Sequence, residues 1–305
     1  MTNTYAQEYP TKSVRFVVAS GPGGSTDGVS RIIGDKLSEY WLQQIVHDNR
    51  PGAGGILAAD ITARSLADGY TILVGTSAGI AVSVSLYKNL PYNPDKSFSP
   101  ITIAGIQDYI LIAHPNSVKS VEELINISKL KPNSISYSHT GAGTGTHLSG
   151  ELFKKVSGIH MLSVPYKSIG AALTAVISGE VQLSFCSLYS ALLHIKSGRI
   201  KPIAVTGIKR SSAIPELPTF KELGFREYES RNWYGFLAPA KTPEHIIMKL
   251  NGDIRRALKD SSVKERMIKQ GIDPEDSTPE EFSNFIKLEK EKYAKLIKFS
   301  NIRIE

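Results

Sequence analysis

The segment Val14-Arg15-Phe16-Val17-Val18-Ala19-Ser20-Gly21-Pro22-Gly23-Gly24-Ser25-Thr26-Asp27 carries the pattern that decides the fold. It opens with a short run of β-branched and aromatic residues, typical of a buried strand, and the run ends at a cluster of glycines. Apolar residues then recur at helical spacing, at Val29, Ile32, Ile33 and Leu37. The segment therefore predicts a strand, a glycine-rich loop and a helix, in that order.

The same order recurs along the chain. In the first half, a strand at Gln44 to Val46 is followed by the glycine-rich residues 51–55 and by a helix from Ile56 to Leu66. In the second half, the strand Ser134 to Ser138 opens into the loop Thr140 to His147 and a further helix. Alternating strands and helices favour parallel βαβ units, whose ligands gather at the carboxyl ends of the strands. Two such series predict an α/β fold with two Rossmann-like lobes and a central cleft as the ligand site.

The composition excludes several classes of protein. Of the 305 residues, 41% are hydrophobic and 21% are charged, which is typical of a folded chain and not of a disordered one. The single cysteine, Cys186, excludes an internal disulfide and a multi-cysteine zinc site. The apolar runs are far shorter than the ~20 residues that a membrane-spanning helix needs.

The net charge of +7 does not by itself identify a partner. The lysines of the last helical segment are interleaved with Glu289 and Glu291, which indicates a solvated helix face. We expect no nucleic-acid partner, because no concentrated basic patch with interleaved aromatic residues occurs. We also expect no metal and no cofactor, since the histidines are scattered and no H-E-x-x-H or paired Cys/His spacing is present.

The first ten residues, Met1 to Pro10, lack the basic and apolar regions of a signal peptide. The chain is therefore expected to be either cytoplasmic or a mature product from which a signal has been removed. The stretch Tyr5-Ala6-Gln7 is compatible with the second alternative.

The loop Gly21-Pro22-Gly23-Gly24-Ser25-Thr26-Asp27 has the features of an anion site. It precedes a helix, whose free N–H groups and positive dipole end favour a negative charge. Thr26 stands where a dinucleotide fingerprint needs its last glycine, and no Gly-Lys-Ser/Thr follows as in a P-loop. The alternative is structural: Ser25 or Thr26 caps the helix, and Asp27 pairs with Arg31 one turn later.

The loop Thr140-Gly141-Ala142-Gly143-Thr144-Gly145-Thr146-His147 has the same position between a strand and a helix, and the same structural alternative. Two helix N-termini that face a common cleft would hold a carboxylate or another anion without a buried arginine. His147 is either a ligand contact or a structural residue of the first helical turn.

A third segment, Gly75-Thr76-Ser77-Ala78-Gly79, matches the G-x-S-x-G nucleophile elbow and follows a strand, as that motif requires. A serine hydrolase built on Ser77 is therefore an alternative function. It would need a histidine and an acid, and the later histidines have no recognisable context. We prefer a polar loop at the rim of the cleft, followed by a weak helix from Ile80 to Pro91.

Ordered blocks along nearly the whole chain resemble the Bug (TctC-like) family of periplasmic solute receptors of tripartite tricarboxylate transporters. The blocks are Pro22-Gly23-Gly24-Ser25-Thr26-Asp27 with Arg31, Asp48-Asn49-Arg50-Pro51-Gly52-Ala53-Gly54-Gly55, Ala67-Asp68-Gly69-Tyr70-Thr71, Leu90-Pro91-Tyr92, Gly143-Thr144-Gly145-Thr146-His147-Leu148, Val164-Pro165-Tyr166-Lys167, Ala204-Val205-Thr206, Leu217-Pro218-Thr219-Phe220 and Trp233-Tyr234-Gly235.

The resemblance implies a type II periplasmic-binding-protein-like fold, with one lobe formed by residues 1–105 and 231–305 and the other by 106–230. It implies a monomeric, non-enzymatic receptor in the periplasm, which binds a small di-, tri- or aromatic carboxylate in the cleft and delivers it to membrane transporter subunits. The ligand-binding residues it implies are Ser20, Gly23, Gly24, Ser25, Thr26 and Asp27 in the first lobe, Thr76, Ser77 and Ala78 at the rim, and Thr140, Gly143, Thr144, His147 and Tyr166 in the second lobe.

The chain departs from the family pattern at two places. Val164-Pro165-Tyr166-Lys167 is followed by Ser168, where glycine is common. The strand Val181 to Phe185 is followed by Cys186 and Ser187, where aspartate is common. If that aspartate faces the cleft, its loss eases binding of a more negative or more apolar ligand; alternatively, the position is only structural. We therefore count Cys186 and Ser187 among the candidate ligand-binding residues.

Overall fold

The computed structural model describes residues 9–211, 213–300 and 302. Most of the segment considered for a signal peptide, residues 1–8, lies outside this part of the chain. The strands are β1 (Val14–Val18), β2 (Ile45–Asn49), β3 (Thr71–Thr76), β4 (Phe98–Ala113), β5 (Ser136–His139), β6 (Leu162–Pro165), β7 (Leu183–Ser187), β8 (Lys201–Val205), β9 (Arg231–Pro239) and β10 (Asp273–Pro274).

Helices alternate with these strands. They are α1 (Ser25–Trp41), α2 (Ile56–Ala63), α3 (Ser83–Leu86), α4 (Val121–Leu130), α5 (Gly145–Ser157), α6 (Ile169–Ile177), α7 (Leu188–Lys196), α8 (Glu244–Lys259), α9 (Ser261–Lys269) and α10 (Pro279–Ser300). A short 3-10 turn, Ala53–Gly55, precedes α2, and a π turn, Ala78–Val82, precedes α3.

The strand β4 belongs to two groups of strands. Its first part, from Phe98 to Asp108, pairs antiparallel with β9, which continues to β3, β1 and β2. Its last part, from Tyr109 to Ala113, pairs antiparallel with β7 and β8, and β7 continues to β5 and β6. The order is β2-β1-β3-β9-β4-β7-β5-β6, with β8 and β10 also paired to β4. In the first group β1, β2 and β3 are parallel, and in the second group β5, β6 and β7 are parallel, as the alternating pattern predicts. The strand β4 is antiparallel to β5, although α4 joins the two.

Helices cover both faces of the strands. On one face, Phe16 of β1 packs edge to face against Phe236 of β9, with 5.3 Å between the ring centroids. On the opposite face, Val17 joins a core cluster that includes Leu73 and Phe282. Because neighbouring residues of a strand point to opposite faces, strands buried on both sides have continuous apolar sequences.

The structure differs from the sequence-based elements in several places. The run Tyr109 to Ala113, whose sequence predicts a separate strand, is the end of the longer β4. The predicted helix from Ile80 to Pro91 is a π turn followed by α3, which ends at Leu86, ahead of the helix-breaking proline. The elements β9, α7 and α9 were not predicted from the sequence. No helix in the described ranges has the length and apolar character to cross a membrane.

Candidate functional site

The carboxyl ends of the two parallel strand groups point toward one short stretch of β4. At the end of β3, Thr76 is in register with Tyr234 of β9, which is in register with Gly105 of β4. At the end of β7, Ser187 is in register with Tyr109 of β4. Gly105 and Tyr109 are four residues apart, or roughly 13 Å of extended chain. The loops that follow the strands therefore flank this stretch from two sides.

The β1–α1 loop presents a helix N-terminus without a side-chain cap. Gly24 is the N-cap residue of α1, and no side chain within the described ranges accepts a hydrogen bond from the first turn. Gly23 has a φ of +79°, in the left-handed region that favours glycine. Since the first amides of a helix have no partners within it, those of Ser25 and Thr26 are available to an anion. The structure does not give Ser25 or Thr26 the capping role that the sequence left open.

The Asp27 carboxylate is bound within this loop. Its side chain is buried, one carboxylate oxygen accepts hydrogen bonds from the Gly23 N–H and from Arg31 Nε, both at 2.9 Å, and the other accepts one from Asn49 Nδ2 at 3.0 Å. Burial by itself raises the pKa of Asp27, but the hydrogen bonds from Arg31, Gly23 and Asn49 outweigh it and hold the pKa below its ordinary value. The structure thus places Asp27 inside the loop, paired with Arg31, and not on the ligand side.

The G-x-S-x-G segment forms the end of β3 and the start of the π turn. The buried Ser77 hydroxyl donates a hydrogen bond to Asn232 Oδ1 at 2.7 Å. A nucleophilic serine needs a histidine base at this position, so the geometry does not fit a hydrolase. Ala78 approaches Gly54 of the neighbouring loop, where a Cβ would lie 3.8 Å from the Ala78 Cβ. The loops after β2 and β3 are therefore in contact.

The loop from Thr140 to His147 is held by its own side chains. The Thr144 hydroxyl donates to the Gly141 carbonyl at 2.7 Å, and Thr144 also caps α5 by accepting from the His147 N–H. The hydroxyl of Thr140 lies 3.0 Å from that of Thr146. The second loop thus gathers three threonine hydroxyls at one helix N-terminus.

His147 is held in place by contacts within this loop. Its Nδ1 accepts a hydrogen bond from the Gly143 N–H at 3.0 Å, and its ring stacks on that of His139 with 4.2 Å between the centroids. Burial, together with the neighbouring His139, lowers the pKa of His147 to about 4. Its Nε2 is 3.8 Å from Glu151. Of the two interpretations left open by the sequence, these contacts match the structural one.

The structure does not bring Cys186 to the ligand side. Cys186 is fully buried in an apolar cluster with Ile110 and Val205, and burial raises the pKa of its thiol above the ordinary value. This corrects the expectation that the thiol lines a pocket, because β7 is buried on both faces and Cys186 points into the core. Ser187 caps α7, accepting from the Ser190 N–H at 3.3 Å.

Tyr166 and the neighbouring departure Ser168 lie after β6. The Tyr166 hydroxyl donates to Glu180 at 2.8 Å in an exposed position, and Ser168 caps α6 by accepting from the Ala171 N–H at 3.2 Å. The serine that replaces the family glycine thus has a local structural role.

Polar residues of β4 and β9 lie beneath these loops, and the sequence did not predict them as part of the site. The buried Tyr234 hydroxyl donates to Gln107 Oε1 at 2.6 Å, and Gln107 Nε2 donates to the Gln270 carbonyl. Burial raises the pKa of Tyr234 to about 12, while hydrogen bonding to Ser25 and Asn232 acts in the opposite direction. Tyr234 therefore connects the first loop to the strands that join the two groups.

Most of the charged side chains at this edge of the strands form ion pairs with one another. Arg31 pairs with Asp27 at 2.9 Å, and Arg50, after β2, pairs with Asp48 at 2.8 Å. Arg231 at the start of β9 pairs with Glu229. Within the ranges that the structure describes, no three His, Cys, Asp or Glu side chains are grouped so that they could hold a metal ion. The candidate site therefore consists of backbone amides and hydroxyls.

Residues 29–302 match the model of the tripartite tricarboxylate transporter family receptor, TctC. Three similar solved structures are a protein of R. palustris with adipate (32% identity, TM-score 0.86, 97% of this chain and 100% of that one), the periplasmic binding protein BugD (30%, 0.81, 97% and 100%), and MatC from Rhodopseudomonas palustris with bound malate (28%, 0.80, 95% and 100%). These similarities confirm the predicted α/β periplasmic-binding-protein fold. The chain belongs to the TctC family of tripartite tricarboxylate transporter receptors, which are solute-binding proteins and not enzymes.

Proposed function

We propose that this receptor binds a small organic dicarboxylate between the β1–α1 loop and the loop Thr140 to His147. The observation that carries the proposal is the uncapped N-terminus of α1 at one end of the flanked stretch of β4. A helix N-terminus stabilises a negative group by about 0.3–1 kcal/mol when exposed, and by more when water is excluded. The adipate and malate held by the two R. palustris relatives support a ligand with two carboxylates.

The two carboxylates of the ligand would contact different kinds of hydrogen-bond donor. At the first loop, the amides of Ser25 and Thr26 are the donors, and Gly24 leaves room for the ligand to approach them. At the second loop, the Thr140 hydroxyl is the donor, and Thr144, whose hydroxyl hydrogen goes to the Gly141 carbonyl, holds the loop and caps the helix beside it. The further members of the proposed site are Ser20 and Gly23 beside the first loop, Thr76, Ser77 and Ala78 at the rim, and Gly143, His147, Tyr166 and Ser187 on the second side.

We further propose lobes formed by residues 1–105 with 231–305 and by residues 106–230. The proposal is supported by the change of partner along β4, which pairs with β9 up to Asp108 and with β7 from Tyr109. A ligand that contacts both lobes favours the closed arrangement over the open one by its additional contacts.

The physiological role in this proposal is delivery of the bound carboxylate to the membrane subunits of a tripartite transporter, by a monomeric receptor in the periplasm. The family match supports the transporter partnership, and the relative described as a periplasmic binding protein supports the location.

A thermal-shift screen tests the proposal. The purified chain is heated with adipate, malate, citrate or benzoate, and with adipamide as the uncharged counterpart of adipate. A ligand that binds only the native state stabilises it by about 3 kcal/mol at 100 times its Kd, which raises Tm. We expect a saturable rise in Tm with at least one carboxylate and none with adipamide. A folded protein whose Tm no carboxylate changes would overturn the proposal.

A further inference from the structure

Tyr109 occupies the point where β4 changes partners. Its side chain is only 9% exposed. Its backbone N–H donates to the Thr206 hydroxyl and its carbonyl accepts from the Thr206 N–H, both at 2.9 Å. The position of the residue is therefore fixed by its main chain, and the phenolic hydroxyl is free to serve another purpose.

The Tyr109 hydroxyl lies at the N-terminus of α5. A Cβ added to Gly145, the first residue of that helix, would lie 1.8 Å from the hydroxyl oxygen. Because Cβ atoms of a helix tilt toward its N-terminus, this contact places the hydroxyl at the end that carries the second loop. Gly145 is thus required for space, and its lack of a side chain brings a phenolic O–H beside the free amides of the helix.

This hydroxyl lacks the partner that other buried tyrosines have. The hydrogen bonds of Tyr109 within the described ranges are those of its main chain. By contrast, Tyr92 donates to Gly79, Tyr137 to Glu151, Tyr228 to Ser149, Tyr234 to Gln107 and Tyr293 to Arg231. Tyr109 Oη is not among the fully buried side-chain atoms without a partner in the described ranges, so it keeps some access to solvent and can donate to a ligand that replaces water there.

The electrostatics identify the kind of partner. Burial raises the pKa of the Tyr109 phenol well above its ordinary value, and nearby Tyr234 acts in the same direction. The hydroxyl therefore keeps its proton at every physiological pH and offers a donor. An anionic oxygen at the N-terminus of α5 is favoured by the helix dipole as well. Both features favour a carboxylate as the acceptor.

We propose that the Tyr109 hydroxyl donates a hydrogen bond to the ligand carboxylate held at the N-terminus of α5, and that it is a specificity-determining residue of the receptor. The inference rests on the proposed function and extends it: the second carboxylate is recognised by a neutral phenol from the joining strand in addition to the loop. A ligand whose second end lacks a hydrogen-bond acceptor leaves this hydroxyl buried and unpaired, and binds more weakly.

The test compares two tyrosine variants by calorimetric titration with adipate, malate and citrate. Tyr109→Phe removes the hydroxyl and keeps the ring. We expect Kd to rise about 10- to 100-fold, as for loss of a hydrogen bond to a charged group. Tyr137→Phe is the matched control, because its hydroxyl lies under the same helix but donates to Glu151. Its Kd is expected to stay within about 2-fold of wild type.

A second variant keeps the inference testable if Tyr109→Phe does not fold. Gly145→Ala places a Cβ against the Tyr109 hydroxyl and displaces it, so Kd should rise here too. The tyrosine ultraviolet difference spectrum on ligand addition should be reduced in Tyr109→Phe and unchanged in Tyr137→Phe. Binding by wild type with an unchanged Kd in folded Tyr109→Phe overturns this inference alone. A wild type that binds none of the three acids overturns the proposed function and the inference together.

Discussion

The Nδ1 atom of His147 accepts a hydrogen bond from the backbone N–H of Gly143 at 3.0 Å. A ring nitrogen that accepts carries no proton, so His147 is neutral in this arrangement, with its hydrogen on Nε2. The stacked ring of His139, 4.2 Å away, opposes a charge on His147. The conformation of the second loop therefore depends on an unprotonated His147.

This dependence predicts an acid-sensitive loop. Burial and His139 lower the pKa of His147 to about 4 in the folded protein, whereas an unfolded histidine titrates near 6.5. Between these values the unfolded state binds more protons, so the free energy of unfolding falls as pH drops from about 6.5 to 4. The share due to His147 is about 3 kcal/mol and should be fully present above pH ~6.5.

Urea denaturation of wild type and His147→Gln at pH values from 4 to 8 measures this share. The difference in unfolding free energy between the two proteins should shrink as pH falls. His139, whose pKa is also lowered by burial, keeps its own contribution in both proteins. A difference that does not vary with pH would show that His147 does not titrate as the structure requires.

For Asp108 we expect the opposite dependence of stability on pH. Burial raises its pKa to about 7; Arg231 and Lys209 counteract this, and Asp273 and Glu229 add to it. Between pH ~4 and 7 the folded state keeps a proton that the unfolded state loses, so stability falls as pH rises. Asp108→Asn should therefore be more stable than wild type above pH 7, by as much as about 4 kcal/mol, and similar near pH 4. Thermal denaturation at pH 4 and pH 8 measures this, and a variant equally or less stable at pH 8 would contradict it.

Asp27→Ala should lower the free energy of unfolding by about 2–3 kcal/mol, because it leaves Arg31, the Gly23 N–H and Asn49 without their acceptor. The pKa of Asp27 is lowered on folding, so this stabilisation is present above pH ~4 and is lost as pH falls below it. Urea denaturation at pH 7 measures the effect.

Asp35→Ala is the matched control for Asp27→Ala. Asp35 pairs with Arg266 at 2.9 Å, but both side chains are about half exposed. An exposed pair contributes little, so the change should stay within about 0.5 kcal/mol. Equal effects of the two substitutions would mean that Asp27 does not organise the loop.

Gly24→Val should weaken carboxylate binding by about 10-fold or more without unfolding the chain. The backbone of Gly24 has φ −73° and ψ 161°, which valine can adopt, but its side chain would crowd Ser20 and cover the α1 amides. Gly21→Val is the control in the same loop, since no atom lies within 4 Å of a Cβ built there. Calorimetry compares the two; equal affinities would exclude the α1 N-terminus as the carboxylate site.

The sequence predicted the elements whose pattern is local. The strand, glycines and helix around Gly24 were predicted because the spacing of apolar residues and the turn-forming glycines can be recognised within a few residues of sequence. The sequence also predicts a helix from Val121 to Leu130, and α4 has these bounds, with Ser120 as its cap. The alternative pairing of Asp27 with Arg31 also depends on local i,i+4 spacing, and the structure shows it.

The residues that were missed depend on contacts distant in sequence. Tyr234 and Asn232 join the site through the antiparallel register of β9 with β3, which no local pattern reveals. For Cys186 the sequence left a pocket role and a structural role open, because β7 is buried on both faces and no alternation of polar and apolar residues distinguishes the two sides. The sequence gives no sign that the Tyr109 hydroxyl lies beside Gly145, because the two residues are brought together only by the fold.

Calorimetric titration tests whether the N-terminus of α1 holds the ligand carboxylate. Ligand-free wild type and Gly24→Val are titrated with adipate, malate and citrate under the same conditions. We expect saturable binding of at least one of these acids to wild type at one site per chain, with affinity reduced about 10-fold or more in folded Gly24→Val. No binding of any of the three to folded wild type, or the same affinity in both proteins, would contradict it.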